Sequence, residues 1–510
     1  MAQEMNKSRI IGYFVGPAIF FIMLFMSPPE GMTPSAWKVA AITILMAIWW
    51  ITEALPIPAT SLLPIILFPL LGIMPSSAAT LPYANHLIYL FMAGFFLAVT
   101  MEKWNLHRRV AIYTIRLVGL SPGRMVLGFM LATAFLSMWV SNTATTMMMV
   151  PIGLAVIKQS LGFDSADLKA CPSTGPEYNF GKCLMLGIAY SASIGGVGTI
   201  IGSPPNTVMV GMVEKMFGVQ IGFGQWMLFG VPFASIMLFI TWVLLVWVIF
   251  PVKGLQLGGG SNLLDEEIEK LGPMKREEKY IVAVGLTMAI FWMSRGFLKR
   301  ADFMTELWPN FSYVHDATIG ILGSLLLFLI PTNLKKGEFL LDWKTAVKIP
   351  WDVIILFGGG LAIANGFAKT GLAAHIAGQL VLLEGVNIVV FVAAVVGLTI
   401  LLTETTSNTA TATLLIPIMA SAAIAMGVHP FATIVSACVA ASCAFILPVA
   451  TPPNAVVYSS GCISLGQMAR AGLLLDLTGA VLITVLVVYL LPVLWGIDIM
   501  SLPAWAVVPK

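Results

Sequence analysis

Two short stretches place hydroxyl and amide oxygens inside apolar sequence. "SNTATT" (Ser141 to Thr146) lies between "AFLSMWV" and "MMMVPIGLAVI", and "SNTATA" (Ser407 to Ala412) is set between hydrophobic runs in the same way. Side chains of this kind offer neutral oxygens to a hard cation, cap helices, and donate hydrogen bonds to a carboxylate. In register, Ser137 matches Thr403 four residues ahead of each motif, and Pro151 matches Pro417 ten residues beyond each serine. Further on, "GSPPNT" (Gly202 to Thr207) is answered by "ATPPNA" (Ala450 to Ala455). A single such stretch would read as satisfied helix ends or polar glue between helices. Two in register, each followed by a Pro-Pro pair inside a long apolar span, read as a ligand site.

Each Pro-Pro pair removes two amide donors and interrupts its span, leaving two half-helices with a bare loop between them. At such a break, carbonyls ending the first half can hold a cation and amides starting the second can hold an anion. Glycines in "SIGGVGTIIGSPPN" let backbone and ligand approach closely. The tips supply the other wall: Ser141 and Asn142, or Ser407 and Asn408, with Ser137 or Thr403 one turn earlier, form an oxygen set in each half. No Lys or Arg falls within these segments. An anion there meets only dipoles, roughly half a charge per helix end, so bound cations must supply the compensating charge, which couples the two ligands. A hydrolase built on Ser141 or Ser407 lacks a nearby His or Lys base, and a channel calls for one continuous polar stripe rather than paired interruptions.

The elements that position these groups follow from composition. The chain has 510 residues, 58% hydrophobic and 10% charged, with a net charge of +3; soluble domains carry roughly 25% charged residues. An all-α polytopic membrane protein is expected, because many apolar runs reach the roughly 20 residues that cross a bilayer. The runs fall at about 11–27, 36–55, 58–74, 87–100, 125–157, 183–214, 226–252, 279–296, 316–331, 351–380, 387–427, 431–462 and 470–495. Those holding the SNT motifs read as re-entrant hairpins, which leaves about eleven transmembrane crossings. With the N-terminus inside, 20 of the 27 basic residues lie on inner segments, as the positive-inside rule requires. The C-terminus is then outside. The odd number of crossings between the halves makes them an inverted repeat. Residues 1–124 form N-terminal helices and an interfacial arm, 125–252 the first motif-bearing half, 253–385 an inner loop and further helices, and 386–510 the second motif-bearing half. The first apolar run ends in "SPPEGMTPS" without a cleavage signature, so it reads as a retained span.

The paired SNT motifs, the two Pro-Pro-Asn loops, "WWITEALPIPATSLLPIILFPLLGI" (49–73), "MEKWNLHRRVA" (101–111) and "IPWDVIILFGGGLAIANGFAKTGLA" (349–373) resemble the divalent-anion sodium symporter family over nearly the whole chain. "SMWVSNTATT" is most similar to its sodium-coupled dicarboxylate and citrate carriers. The resemblance implies a homodimer in the plasma membrane, with scaffold and transport domains moving as an elevator. It implies one sodium site from Ser137, Ser141 and Asn142 with backbone near Gly198 and Gly202. The other comes from Thr403, Ser407 and Asn408 with backbone near Ala450. Substrate carboxylates would contact Asn142, Thr143, Ser203, Asn408, Thr409 and Thr451, with Pro204 and Pro452 shaping the loops. The implied function is sodium-coupled import of C4 dicarboxylates; a sodium-independent exchanger, or a citrate or sulfate carrier of the same fold, remains open. Na+ is the coupling ion and the lipid bilayer the surroundings; neither an organic cofactor nor a nucleic-acid partner is expected.

Other residues read more plainly. Glu404 in "TETTSNT" has Met138 as its counterpart and is expected as a protonated or hydrogen-bonded structural group, with a proton-coupling or cation-tuning role as the alternative. Glu53, His86 and His375 read as scaffold residues near interfaces. Cys171, Cys183, Cys438, Cys443 and Cys462 have no metal-like spacing and read as free thiols. The run Gly358-Gly359-Gly360 reads as close helix packing. Asn310, in "NFS" of an outer loop, is a glycan acceptor only in a secretory-pathway host.

Overall fold

A computed structural model describes residues 7–119, 121–161, 178–253, 255, 266, 268–299, 301–379 and 385–506. Cys171 and most of the charged stretch at 254–267 lie outside the described residues. The longer helices are α1 (Lys7–Phe25), α2 (Pro34–Thr52), α3 (His86–Lys103), α4 (Leu106–Val118), α5 (Pro122–Ser137), α6 (Asn142–Leu161), α7 (Asn179–Gly196), α8 (Pro204–Phe217) and α9 (Phe223–Val243). They continue as α10 (Arg276–Leu298), α11 (Asp316–Leu329), α12 (Trp351–Thr370), α13 (Ile388–Thr403), α14 (Asn408–Ala425), α15 (Phe431–Ala440), α16 (Pro452–Ser459) and α17 (Leu465–Val485). The β-structure described is one small hairpin, β1 (Pro331–Asn333) against β2 (Glu338–Phe339).

Eight helical segments are long and apolar enough to cross a bilayer, and five shorter apolar helices accompany them. α14 is among the eight by length, although the sequence places it in a re-entrant hairpin. Burial separates inner helices from lipid-facing ones: 72% of the apolar window of α14 is buried within the protein, but only 22% of that of α1 and 33% of that of α10. With no water to cover an apolar face, the exposed leucines and phenylalanines of α1, α10, α13 and α17 belong against acyl chains.

Two buried clusters organise the bundle. The larger runs through α3 to α9 and α13 to α17 and surrounds the polar motifs. The smaller joins α1, α2, the 57–84 segment and α12. Close approach in the second depends on small residues. A Cβ at Gly12 would strike the Thr52 side chain, one at Gly358 the Tyr83 ring, and one at Gly359 the Ser61 backbone. The triple glycine is therefore a packing surface, as its sequence context suggests. Glu53 stands at the left-handed end of α2 (φ 48°) and pairs with Arg9 at 2.7 Å.

The two motif-bearing halves repeat one local plan. In each, a helix ends at the residue four before the SNT serine (α5 at Ser137, α13 at Thr403), a short turn follows, and the next helix starts at the motif asparagine. A helix, a break and a Pro-Pro helix come next. Both of the long helices that follow, α9 and α17, change to a π-helical turn 21 residues after they start, at Leu244–Ile249 and Leu486–Leu490. Such turns inside α-helices are uncommon and cluster at functional regions.

Candidate functional site

The first tip is built around oxygens. Ser137 Oγ lies 2.7 Å from the Ala192 carbonyl and 2.6 Å from the inward end of the Asn142 amide. That same amide end is 3.1 Å from Ala192 O and 3.2 Å from Gly202 O. Oxygens about 3 Å apart match the spacing around a hard cation with ligands at roughly 2.3–2.6 Å. With a cation in the nest the amide oxygen faces in; without one, turning the amide sets its NH2 among these three acceptors. Backbone fills the remaining space: a Cβ at Gly202 would sit 2.6 Å from Gly196 O and 3.0 Å from Ser137 O, and one at Gly196 would sit 2.6 Å from Asn142 Oδ1.

The second tip repeats the arrangement. Thr403 Oγ1 lies 2.8 Å from Asn408 Oδ1 and 2.9 Å from the Ala441 carbonyl. Both breaks are pinned by an asparagine that follows the prolines. Asn206 Nδ2 donates to Gly196 O (3.0 Å) and Thr199 O (2.7 Å), ten and seven residues upstream. Asn454 Nδ2 donates to Ala444 O (3.0 Å) and Leu447 O (3.1 Å), at the same separations. Buried carbonyls left without a helix are thereby satisfied.

The prolines occupy the first two positions of α8 and α16, after Ser203 and Thr451 in extended conformation. The sequence suggested that amides starting these half-helices hold the anion. In the structure two of them are replaced by proline, and the third is engaged: Asn206 N with Ser203 O at 3.1 Å, Asn454 N with Thr451 Oγ1 at 3.2 Å. The starts of α6 and α14 carry no proline, so the tips at Asn142, Thr143, Asn408 and Thr409 retain the favourable helix ends.

The other expected groups fall into place unevenly. Ser141 Oγ caps α6 by accepting from Ala144 N at 3.3 Å, whereas Ser407 stands at the cap position of α14 without that bond. Ser203 is buried with its Oγ 3.3 Å from Ser442 Oγ, which joins the two breaks. Ala450 closes a turn on Leu447 O at 3.2 Å. The Gly198 carbonyl lies beside Gly230 of α9, and the Gly196 carbonyl beside Gly202. Each Pro-Pro helix packs against the other half's tip helix, α8 on α14 and α16 on α6. Tyr190 Oη donates to the Phe445 carbonyl at 3.0 Å and ties the halves again. Thr143 is half-buried and Thr409 buried, each in the first turn of its tip helix.

Glu404 is a clamp. Its two carboxylate oxygens accept from Ile446 N (2.9 Å) and Leu447 N (3.0 Å), fixing the second break to the second hairpin, with Asp476 of α17 buried beside it. Sequence reasoning missed Asn206, Asn454 and Ser442, though the asparagines were visible as the third letter of each Pro-Pro-Asn triplet. The described ion pairs lie away from the tips and breaks, at Arg9, His86, Lys103, Arg109 and Arg295 with their acidic partners. A cavity of about 310 Å³ between α4 and α6, lined by Asn105, His107, Arg108 and Met148, opens about 9 Å along α6 from Asn142.

Paired half-helices, polar tips at their junction and a lipid-facing exterior define a polytopic helical membrane transporter, and the fold has solved counterparts. A transporter, YdaH of Alcanivorax borkumensis, superposes with a TM-score of 0.56 at 13% identity, covering 87% of this chain and 98% of its own. MtrF of Neisseria gonorrhoeae gives 0.54 at 11%, covering 91% and 96%. The family described as the sodium:sulfate symporter transmembrane region matches residues 7–502. Sodium-dependent dicarboxylate transporters named SdcS are 43% identical to this chain. The one from Staphylococcus saprophyticus aligns over 497 residues, 97% of this chain and 93% of its own, and one from Staphylococcus aureus over 495, with the same coverage. The chain belongs to the sodium:sulfate symporter family, also called the divalent-anion sodium symporters.

Proposed function

We propose that the protein imports C4 dicarboxylates such as succinate, malate and fumarate, coupled to sodium. One sodium ion binds at Ser137, Ser141 and Asn142 with backbone near Gly198 and Gly202. A second binds at Thr403, Ser407, Asn408 and backbone near Ala450. The dianion lies between the tips, against Asn142, Thr143, Ser203, Asn408, Thr409 and Thr451, with Pro204 and Pro452 shaping the loops. The reading is carried by the Asn142 amide end held among Ser137, Ala192 and Gly202 oxygens, and the 43% identical relatives named as sodium-dependent dicarboxylate transporters support it. In this proposal the halves form an inverted repeat, residues 125–252 and 386–510 move as an elevator against 1–124 and 253–385, and the protein is a plasma-membrane homodimer with its N-terminus inside and C-terminus outside.

A second reading, sodium-independent exchange of dicarboxylates, is favoured by one feature: the Asn142 amide can satisfy the nest by turning, with no ion present. Proteoliposome uptake of radiolabelled succinate, with sodium replaced by choline, decides between them. Symport predicts loss of uptake in choline, and Asn142→Ala and Asn408→Ala each weakening apparent sodium affinity about tenfold, or 1.4 kcal/mol, with expression intact. Undiminished uptake in choline rejects sodium coupling. Competition by citrate and sulfate in the same assay ranks the anions.

A further inference from the structure

Away from the tips, His86, Glu214 and His315 converge from three elements. His86 opens α3, Glu214 lies in the last turn of α8, and His315 immediately precedes α11. One ligand atom of each lies within 4.8 Å of the others, and all three side chains are half-buried. His86 Nε2 is 3.2 Å from Glu214 Oε2, and the two imidazoles meet edge to face with centroids 4.0 Å apart. We propose that these three residues bind a divalent transition metal of the zinc class.

Two imidazoles and a carboxylate are a zinc donor set that leaves a fourth position for water. Ligand bonds of roughly 2.0–2.2 Å place tetrahedral donors roughly 3.4 Å apart, so side-chain torsions alone close the trio onto an ion. The surroundings favour this. Gln220 Nε2 donates to Glu214 Oε1 at 2.9 Å, orienting the carboxylate while leaving Oε2 toward His86, the kind of support that second-shell groups give to metal ligands. Arg295, the nearest guanidinium, is committed to the Asp316 carboxylate and the Val314 carbonyl. The Ala317 amide donates to His315 Nδ1 at a long 3.4 Å, a contact that a metal-bound ring gives up at little cost.

The ion would tie α8, which continues from the first Pro-Pro break, to α3 and α11. On the reading that α8 moves and α3 and α11 do not, such a tie arrests the transport cycle. Isothermal titration of tag-free protein in detergent with ZnCl2 tests the site directly. A single stoichiometric Zn2+ is expected, weakened roughly 10- to 100-fold in His86→Ala, in His315→Ala and in the milder Glu214→Gln, and retained in His375→Ala. No stoichiometric binding, or binding unchanged in all three variants, overturns the site. In proteoliposomes, Zn2+ added to wild type should slow succinate uptake reversibly with EDTA and leave His86→Ala uninhibited. Binding without slowed uptake overturns the arrest. Failure of metal-free protein to take up succinate counts against the transport reading alone, because titration judges the site independently.

Discussion

Gly202 shows how little freedom the candidate site leaves a single residue. Its missing side chain is the space into which Gly196 O and Ser137 O face, at 2.6 and 3.0 Å from where a Cβ would stand. Both are backbone atoms, so neither yields by a rotamer change. Gly202→Ala is expected to cost about tenfold or more in apparent sodium affinity, equal to 1.4 kcal/mol or above, while the folded protein is still recovered; a sodium-activation curve of uptake measures it. An unchanged curve would mean that this carbonyl cluster is not the ion's seat. What the sequence disclosed at this scale was the side-chain half of the cluster. Ser137 with Asn142, and Thr403 with Asn408, were legible because the same residue types recur five apart in both halves. The carbonyls of Ala192, Gly196 and Ala441 were not, since any residue carries a carbonyl and only the fold decides which ones turn inward. His86, Glu214 and His315 were illegible as a group for a similar reason: nothing in a separation of more than a hundred residues signals contact.

Among the elements, the arm helix α4 joins α1 to α3 to the first tip, and its anchors explain its place. Arg109 donates to both oxygens of Glu278 (2.9 and 3.1 Å) and to the carbonyls of Leu271 and Gly272. Their side chains are 8% and 2% exposed. Removing one partner of a buried pair costs roughly 3–5 kcal/mol. This pair sits at the margin of the protein, with few atoms beyond it, so about 3 kcal/mol is the better expectation for Arg109→Ala; thermal unfolding in detergent against wild type checks it. At the start of the arm, Lys103 Nζ bonds Asp342 at 2.7 Å and Trp104 Nε1 bonds the Leu340 carbonyl at 2.8 Å. The Lys103 hydrogen bond lowers the Asp342 pKa to about 2. A depressed carboxylate pKa stabilises the fold above its unfolded value, roughly 3.9, and that contribution is lost as pH falls through about 2. The arm's attachment should thus be constant from about pH 5 to 8. Hydrogen exchange in the 339–345 segment tests this, and a step near neutrality would assign the contact a different charge state. That the arm is a helix was legible from its basic, amphipathic sequence. Its docking was not, because its partners, Glu278 and the Leu271 and Gly272 carbonyls, lie more than 160 residues further along the chain.

On the scale of the whole molecule, the distribution of charge makes a demand on the transport cycle. Neither tip nor break contains Lys or Arg, and the described ion pairs lie elsewhere. Helix ends at Asn142 and Asn408 contribute roughly half a charge each, which leaves a dianion under-compensated in a low-dielectric junction. On the proposed symport, bound sodium supplies the remainder, one ion at each of the two oxygen nests. Two sodium ions with one dianion move no net charge. A third sodium ion carries one net positive charge inward per cycle, and a membrane potential of 100 mV then contributes about 2.3 kcal/mol to accumulation. The fixed carboxylate near the second tip, Glu404, is already engaged by Ile446 N and Leu447 N, so a third ion adds net charge and electrogenic uptake is the expected outcome of a three-sodium cycle. Proteoliposomes loaded with potassium and treated with valinomycin provide the measurement. Succinate uptake should accelerate when the interior is made negative and slow when it is made positive. Uptake indifferent to the potential would limit the cycle to two sodium ions, one for each nest, and the paired tips would then describe the whole of the coupling.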